Sequence, residues 1–320
     1  MAEGGTDRPP PRWALPALLA AAAALRLLHW GAVGRLPFVD RLVLDSAEYD
    51  RWARALAGGD WLGSEPFFQA PLYPYLIALV YRLAATPHAV YLLQIAVAVV
   101  GVWCLYRAGE RMVDARTGLA AATLAAFYAP FVLHDVQLLK ESLAVSLVAA
   151  LLWAVAEARA RGTGRPWLLA GLAGGLLVLL RENALVALPL LLPLAWRRGD
   201  AVASLRRTAL FLAGIALPLL PVAARNAAVG GGLLPTTYQG GVNFYIGNNP
   251  EADGTYRPLT PGRQIPAHER REPWRLAEAE AGRPLAAAEV STHWRRRALD
   301  WARAEPGAFL RLQVRKVGLY

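Results

Sequence analysis

The chain has 320 residues, 56% of them hydrophobic, a formal net charge of +10 and a single cysteine. A mean hydropathy of +0.30 is high for a soluble domain, and apolar runs near bilayer length point to an all-α, polytopic membrane bundle. Cys104 has no second cysteine to pair with, and the arginine surplus is spread over short loops, so membrane orientation explains the charge more simply than nucleic-acid binding does.

A hydrocarbon core ~30 Å thick takes roughly 20 helical residues to cross. The first candidate span is 13–34, preceded by Arg8 and Arg12. Its basic leader and Ala-rich run also fit a cleaved signal peptide, but cleavage would leave the following loop without its anchor. That loop, about 36–87, is expected to hold two helices, over 47–57 and 71–85. The second, PLYPYLIALVYRLAA, is a poor crossing because it carries Pro71, Pro74 and Arg82. Counting it as a span would also put the basic loops outside. An interfacial helix with Tyr73, Tyr75 and Tyr81 at headgroup depth fits better. Six further spans follow, at 88–106, 118–133, 142–158, 167–180, 184–196 and 208–224.

Every alternate connection between these spans is basic. Arg107, Arg111 and Arg116 fill one, Arg159, Arg161 and Arg165 the next, and Arg197, Arg198, Arg206 and Arg207 the third, which assigns them to the cytoplasm. The opposite connections carry Asp45, Glu48 and Asp50, then His134, Asp135, Lys140 and Glu141, then Arg181, Glu182 and Asn183, and finally the residues from Arg225 onward. These are expected to face outward. The domain reading is a multi-pass catalytic region over 1–225, an outer-face segment over 226–308, and over 309–320 the start of a further membrane segment, the chain being a fragment. The Gly171 to Gly175 GxxxG pattern reads as helix packing.

The charged clusters that face outward offer the chemistry. Asp45 follows the first span in LDSAEYDRWA and is placed to take a proton from an acceptor hydroxyl. The other reading makes it the N-cap of the next helix, Asp-x-x-Glu being a capping-box-like pattern. Lys140, one of two lysines in an arginine-using chain, suits a lipid phosphate, or simply snorkels to the interface and pairs with Glu141. Arg181 and Arg225 are further cations for the same phosphate, or a polar turn and a helix-end anchor. The turn-rich block 240–256 brings Asn243, Tyr245 and Asn248 as acceptor or sugar contacts, alongside Tyr49 and Tyr73 in the first loop; a structural loop is the alternative. Asp253 lacks EF-hand spacing, and no zinc-like, P-loop or Gly-x-Ser-x-Gly pattern occurs.

The order LDSAEYDRWARALAGGDW, APLYPYLIALVYRL, HDVQLLKESLA, LREN and GGVNFYIGNNPEADGTY resembles the bacterial multi-pass glycosyltransferases of the GT-C superfamily. The resemblance is to the protein O-mannosyltransferase-like group, itself similar to lipid A aminoarabinose transferases. It implies an enzyme of the bacterial inner membrane that moves a sugar from a polyprenyl-phosphate carrier to a glycan, lipid or protein acceptor on the outer face. It implies inversion, with Asp45 as general base, Lys140, Arg181 and Arg225 on the donor phosphate, and Glu48, Asp135 and Glu141 as acidic helpers. Relatives often have two adjacent acids where this chain has Asp45 and Ser46, with Glu48 as the next carboxylate. The scheme needs no cofactor or metal. A transporter or lipid-carrier flippase is the alternative, although such proteins place ionisable groups at the midplane, often in repeated halves. A non-catalytic scaffold is the third reading.

Overall fold

The computed structural model describes residues 9–36, 39, 41–162, 164–197, 199–262 and 266–319. Arg8, Arg198 and Tyr320 of the sequence reading lie outside the described residues. Helices and turns make up the described residues, and no strand occurs among them. The protein is a polytopic helical bundle whose chain divides into two compact units. One comprises residues up to Trp61 together with Leu72–Leu219; the other comprises Leu62–Pro71 and Leu220–Tyr320.

In the first unit the helices are α1 (Ala14–Val33), α2 (Leu44–Ala57), α3 (Leu72–Tyr81), α4 (Pro87–Met112), α5 (Ala115–Phe127), α6 (Ala129–His134), α7 (Glu141–Arg161) and α8 (Gly164–Leu180). Short pieces α9 (Ala184–Ala187) and α10 (Leu192–Ala195) flank a 3-10 turn at Leu188–Leu191, and α11 (Ala201–Ala228) follows. Of the expected spans, α1, α4, α7 and α11 are long and apolar enough to cross a membrane. The others differ from expectation. The span at 118–133 is broken at Tyr128, where Pro130 in the first turn of α6 brings no N–H to bond back into α5. The span at 184–196 is split because Pro189 and Pro193 each remove a helical donor. The span at 167–180 is the 17-residue α8.

Side chains from α2 and α3 interlock in one apolar cluster, with Tyr49, Leu56, Tyr73 and Ile77 nearly inaccessible and Val90, Leu138 and Leu180 supplied by the bundle. Tyr73 and Tyr81, expected at headgroup depth, are instead turned into the protein, where their hydroxyls donate to Gln94 Oε1 (2.6 Å) and Asp50 Oδ1 (2.6 Å). A buried phenol needs a partner for its O–H, and these acceptors provide one. A second cluster joins Leu18 and Ala22 of α1, Val102 of α4 and Ala122 and Ala126 of α5.

Between helices, small residues set the approach. A Cβ on Gly101 would lie 2.8 Å from Ser146 Oγ, and one on Gly109 would lie 2.6 Å from Gly118 Cα. On α8, Cβ atoms at Gly171 and Gly175 would run into the carbonyl oxygens of Phe211 and Ile215 of α11, while one at Gly214 would overlap Leu168 in return. The GxxxG reading therefore holds. Where apolar lipid gives no drive to bring helices together, such backbone-to-backbone packing supplies it. Gly171→Val should strongly reduce monodisperse protein recovered from detergent by size exclusion, because backbone atoms cannot yield as a side chain would. Gly31→Val, where nothing lies within 4 Å, should be recovered like the wild type.

The second unit contains the end of α11, then α12 (Gln239–Gly247), α13 (Pro266–Ala281), α14 (Ala287–Ala304) and α15 (Pro306–Leu319). Val242, Ala277, Leu285, Val290 and Trp294 form its core.

Candidate active site

The start of α2 decides where Asp45 stands. Its N-cap position is Val43, in extended conformation and with no side-chain cap hydrogen bond, so the capping reading of Asp45 is corrected: the carboxylate lies in the first turn instead. Leu44, immediately before it, has φ 51°, a left-handed conformation that costs a non-glycine residue of order 1–3 kcal/mol. Asp45 is exposed and takes no hydrogen bond or ion pair among the described residues. Glu48, one turn on, is paired with Arg51 at 3.0 Å.

Three segments bring charge towards Asp45. Lys140 ends the turn before α7, Glu141 opens α7, and Arg181 and Glu182 follow α8. Arg181 donates to Glu141 Oε1, while Glu141 Oε2 is buried with no partner among the described residues. Burial pushes the Lys140 ammonium below its ordinary range, Arg181 adds to the depression, and the charges of Glu182, Glu141 and Asp45 pull it back. Burial and then the Asp45 charge push the Tyr49 phenol up, with Glu141 and Glu182 acting the same way. Asp45, Tyr49, Lys140, Glu141, Arg181 and Glu182 thus share one electrostatic environment, although they come from three separate segments of the chain. Tyr49 is 1% exposed and packs edge-on against Tyr73 at 5.2 Å. Both tyrosines are wall and support, not open contacts.

The turn that carries Lys140 is held from beneath. Arg26, inside α1, donates from Nε to Asp135 Oδ2 (2.7 Å) and from Nη1 to Ala126 O (2.8 Å), and Ser142 Oγ donates to the other Asp135 oxygen. Gln94 gives its amide N–H groups to Gln137 O (2.9 Å) and Asp135 O (3.1 Å) and takes the Tyr73 hydroxyl. Asp135 is therefore tied into a buried ion pair rather than open as an acidic helper. Arg26 and Gln94 escaped the sequence reading. The available signal was an ionisable or amide side chain within an apolar span, which marks function or a buried partner by default.

A cavity of ≈180 Å³ lies beside this support, lined by Arg26, His134, Asp135 and Glu141 together with apolar residues such as Leu105 and Leu152. No three His, Cys, Asp or Glu side chains group to hold a metal ion among the described residues.

Residues 68–225 match the family described as dolichyl-phosphate-mannose-protein mannosyltransferase, of GT-C type. This stretch is a GT-C membrane glycosyltransferase domain. No curated protein matches the chain. The match supports a membrane glycosyltransferase of GT-C type, and the family implies a lipid-phosphate-linked sugar donor and a protein or glycan acceptor. The matched stretch includes Lys140, Glu141 and Arg181 of the cluster; Asp45 and Tyr49 precede it.

The remaining sequence candidates lie in the second unit. Arg225 donates to Glu65 O at 2.6 Å and to Leu62 O at 2.7 Å, and stacks over Phe67 at 3.9 Å, clamping the 62–67 segment. Asn243 is exposed. Tyr245 packs on Trp294 at 4.9 Å, and Asn248 Oδ1 accepts from Gln313 and Lys316, each at 3.0 Å. These contacts account for Tyr245 and Asn248 as packing and loop-pinning residues.

Proposed function

We propose that the chain transfers a sugar from a polyprenyl-phosphate carrier to an acceptor hydroxyl at the extracytoplasmic face of a bacterial inner membrane, with inversion at the anomeric carbon. The observation that carries this reading is the electrostatic coupling of Asp45, a carboxylate with no hydrogen bond or ion pair among the described residues, to a half-buried ammonium, Lys140, of a domain whose family uses lipid-phosphate donors. Asp45 takes the acceptor proton as its oxygen attacks C1. The bond from C1 to the phosphate oxygen breaks, and its electron pair leaves with the lipid phosphate. Lys140 and Arg181 stabilise the charge that grows on that phosphate; charge-assisted donors in a site of low dielectric are the largest single contribution to many such reactions. Glu141 holds Arg181 in position. The apolar cavity beside Glu141 suits the first isoprenoid units of the carrier. No step is routed through a metal, so transfer should persist in EDTA.

The depressed Lys140 ammonium gives a test. Activity that needs the cation falls as pH rises through the pKa of that group, so the alkaline limb of the wild type should sit lower than an exposed lysine would give. Arg stays protonated throughout, so Lys140→Arg should move that limb upward if it retains activity, and Lys140→Met should lose most turnover at every pH. Purified chain would be assayed with polyprenyl-phosphate sugar across pH. A limb that stays put in Lys140→Arg removes Lys140 from the phosphate role. Sugar-lipid movement across proteoliposomes without any transfer would instead favour the flippase reading.

A further inference from the structure

The other end of the first unit has no part in this chemistry. Helix α7 begins at Glu141 and ends at Arg161, and its 21 residues at ~1.5 Å each separate its ends by about 30 Å, the thickness of a hydrocarbon core. At the far end Gly162 closes α7 in a left-handed conformation, φ 67°. Two arginines converge on it. Arg197 Nη2 donates to Arg159 O at 2.6 Å, and a Cβ on Gly162 would lie 3.4 Å from Arg197 Nη1. Arg207 Nε donates to Gly162 O at 3.2 Å. Arg206 reaches the same connection, its Nε 3.8 Å from where a Cβ on Gly164 would be.

Capping the C-terminal carbonyls of α7 explains part of this arrangement, but it uses only Nη2 of Arg197 and Nε of Arg207. Arg207 is 7% exposed, its Nη2 reaches Asp200 only at 3.4 Å, and its Nη1 is buried without an acceptor among the described residues. A guanidinium N–H left in that state loses its hydration with nothing in return, so the Arg207 charge is only partly compensated inside the chain. The surrounding charge agrees. Arg159, Arg161, Arg165, Arg197 and Arg206 are all exposed, whereas the nearby carboxylates are Asp200 and Glu157, and Glu157 is already shared by Arg111 and Arg161. Trp196, 51% exposed beside Arg197, is the residue type that settles at headgroup level. Loop arginines placed by orientation alone would be hydrated and dispersed; Arg197 from a loop and Arg206 and Arg207 from α11 instead gather at the connection 162–164.

We propose that Arg197, Arg206 and Arg207 form a binding site for a phosphate ester, the headgroup of an anionic membrane phospholipid. Guanidinium forks match phosphate oxygens in geometry and charge, and basic pockets between membrane helices are known headgroup sites. The site is separate from the donor cluster and does not depend on the reaction assigned there.

Native mass spectrometry of the full chain, titrated with phosphatidylglycerol, phosphatidylcholine and water-soluble sn-glycerol 3-phosphate, would test it. Phosphatidylglycerol should bind at least about tenfold tighter than phosphatidylcholine, and Arg197→Gln and Arg206→Gln should each weaken it about fivefold. Both side chains are exposed, so these variants remain informative even if Arg207→Gln does not fold. Arg12→Gln, in the turn before α1, should change nothing. Binding of glycerol phosphate with the same arginine dependence would keep the site but make its ligand soluble. Equal affinity for the two lipids, or an equal loss in Arg12→Gln, would overturn the site in favour of general surface charge.

Discussion

Asp45→Asn should lower sugar transfer by about 10²–10⁴-fold, the range that a positioned general base contributes, with little effect on the amount of folded protein. Both halves of the expectation come from the same local structure. The carboxylate is exposed and has no hydrogen bond or ion pair among the described residues, so its loss removes no contact, and substitutions at such surface positions usually change stability by no more than about 0.5 kcal/mol. Asparagine keeps the shape and the start of α2 but cannot take a proton. The neighbouring acids do not substitute readily, since Glu141 is committed to Arg181 and Glu48 to Arg51. The strained φ of Leu44 adds a reason to look here, since unfavourable backbone persists where the fold over-determines a position. Turnover of a labelled polyprenyl-phosphate sugar by purified variants would decide. A near-normal rate in Asp45→Asn, with Glu182→Gln inactive, would move the base to the far side of the cluster.

The elements that the sequence made legible are those whose cause is local. Long apolar runs give α1, α4, α7 and α11, and the Gly171 to Gly175 pattern gives a close-packing face on α8, which the structure sets against Gly214 and its neighbours on α11. Tyr73 was misread for a long-range reason: an aromatic in an apolar helix reads equally well as interfacial or as core. Its packing with Tyr49 of α2 and Leu180 of the bundle, and the amide of Gln94, 21 residues away, make it core. The same holds at the site. Composition marks Asp45, Lys140 and Arg181 one by one, but that a single environment holds them depends on how the loops before α2, before α7 and after α8 come together. Arg26 and Asp135, 109 positions apart, pair through tertiary structure that no window of sequence contains.

That pair carries the second large effect. Arg26→Met should destabilise the protein by about 3–5 kcal/mol, because it leaves Asp135 buried and unpaired. The charges are 1% and 2% exposed, so no water is at hand to replace the guanidinium, and a loss of that size is a large part of the 5–15 kcal/mol typical of a whole domain. The double variant Arg26→Met, Asp135→Leu removes both charges and should recover much of the loss, since apolar replacement of a buried pair is often close to neutral. The two outcomes separate two roles for the pair. If it served stability alone, the double variant would regain both its thermal midpoint in detergent and its turnover. A tether for the 135–140 turn predicts a restored midpoint with transfer still depressed, because Gln94 alone then holds the backbone that presents Lys140. A single Arg26→Met variant no less stable than the double would show that Asp135 finds another partner, and the buried pair would lose its place in positioning the site.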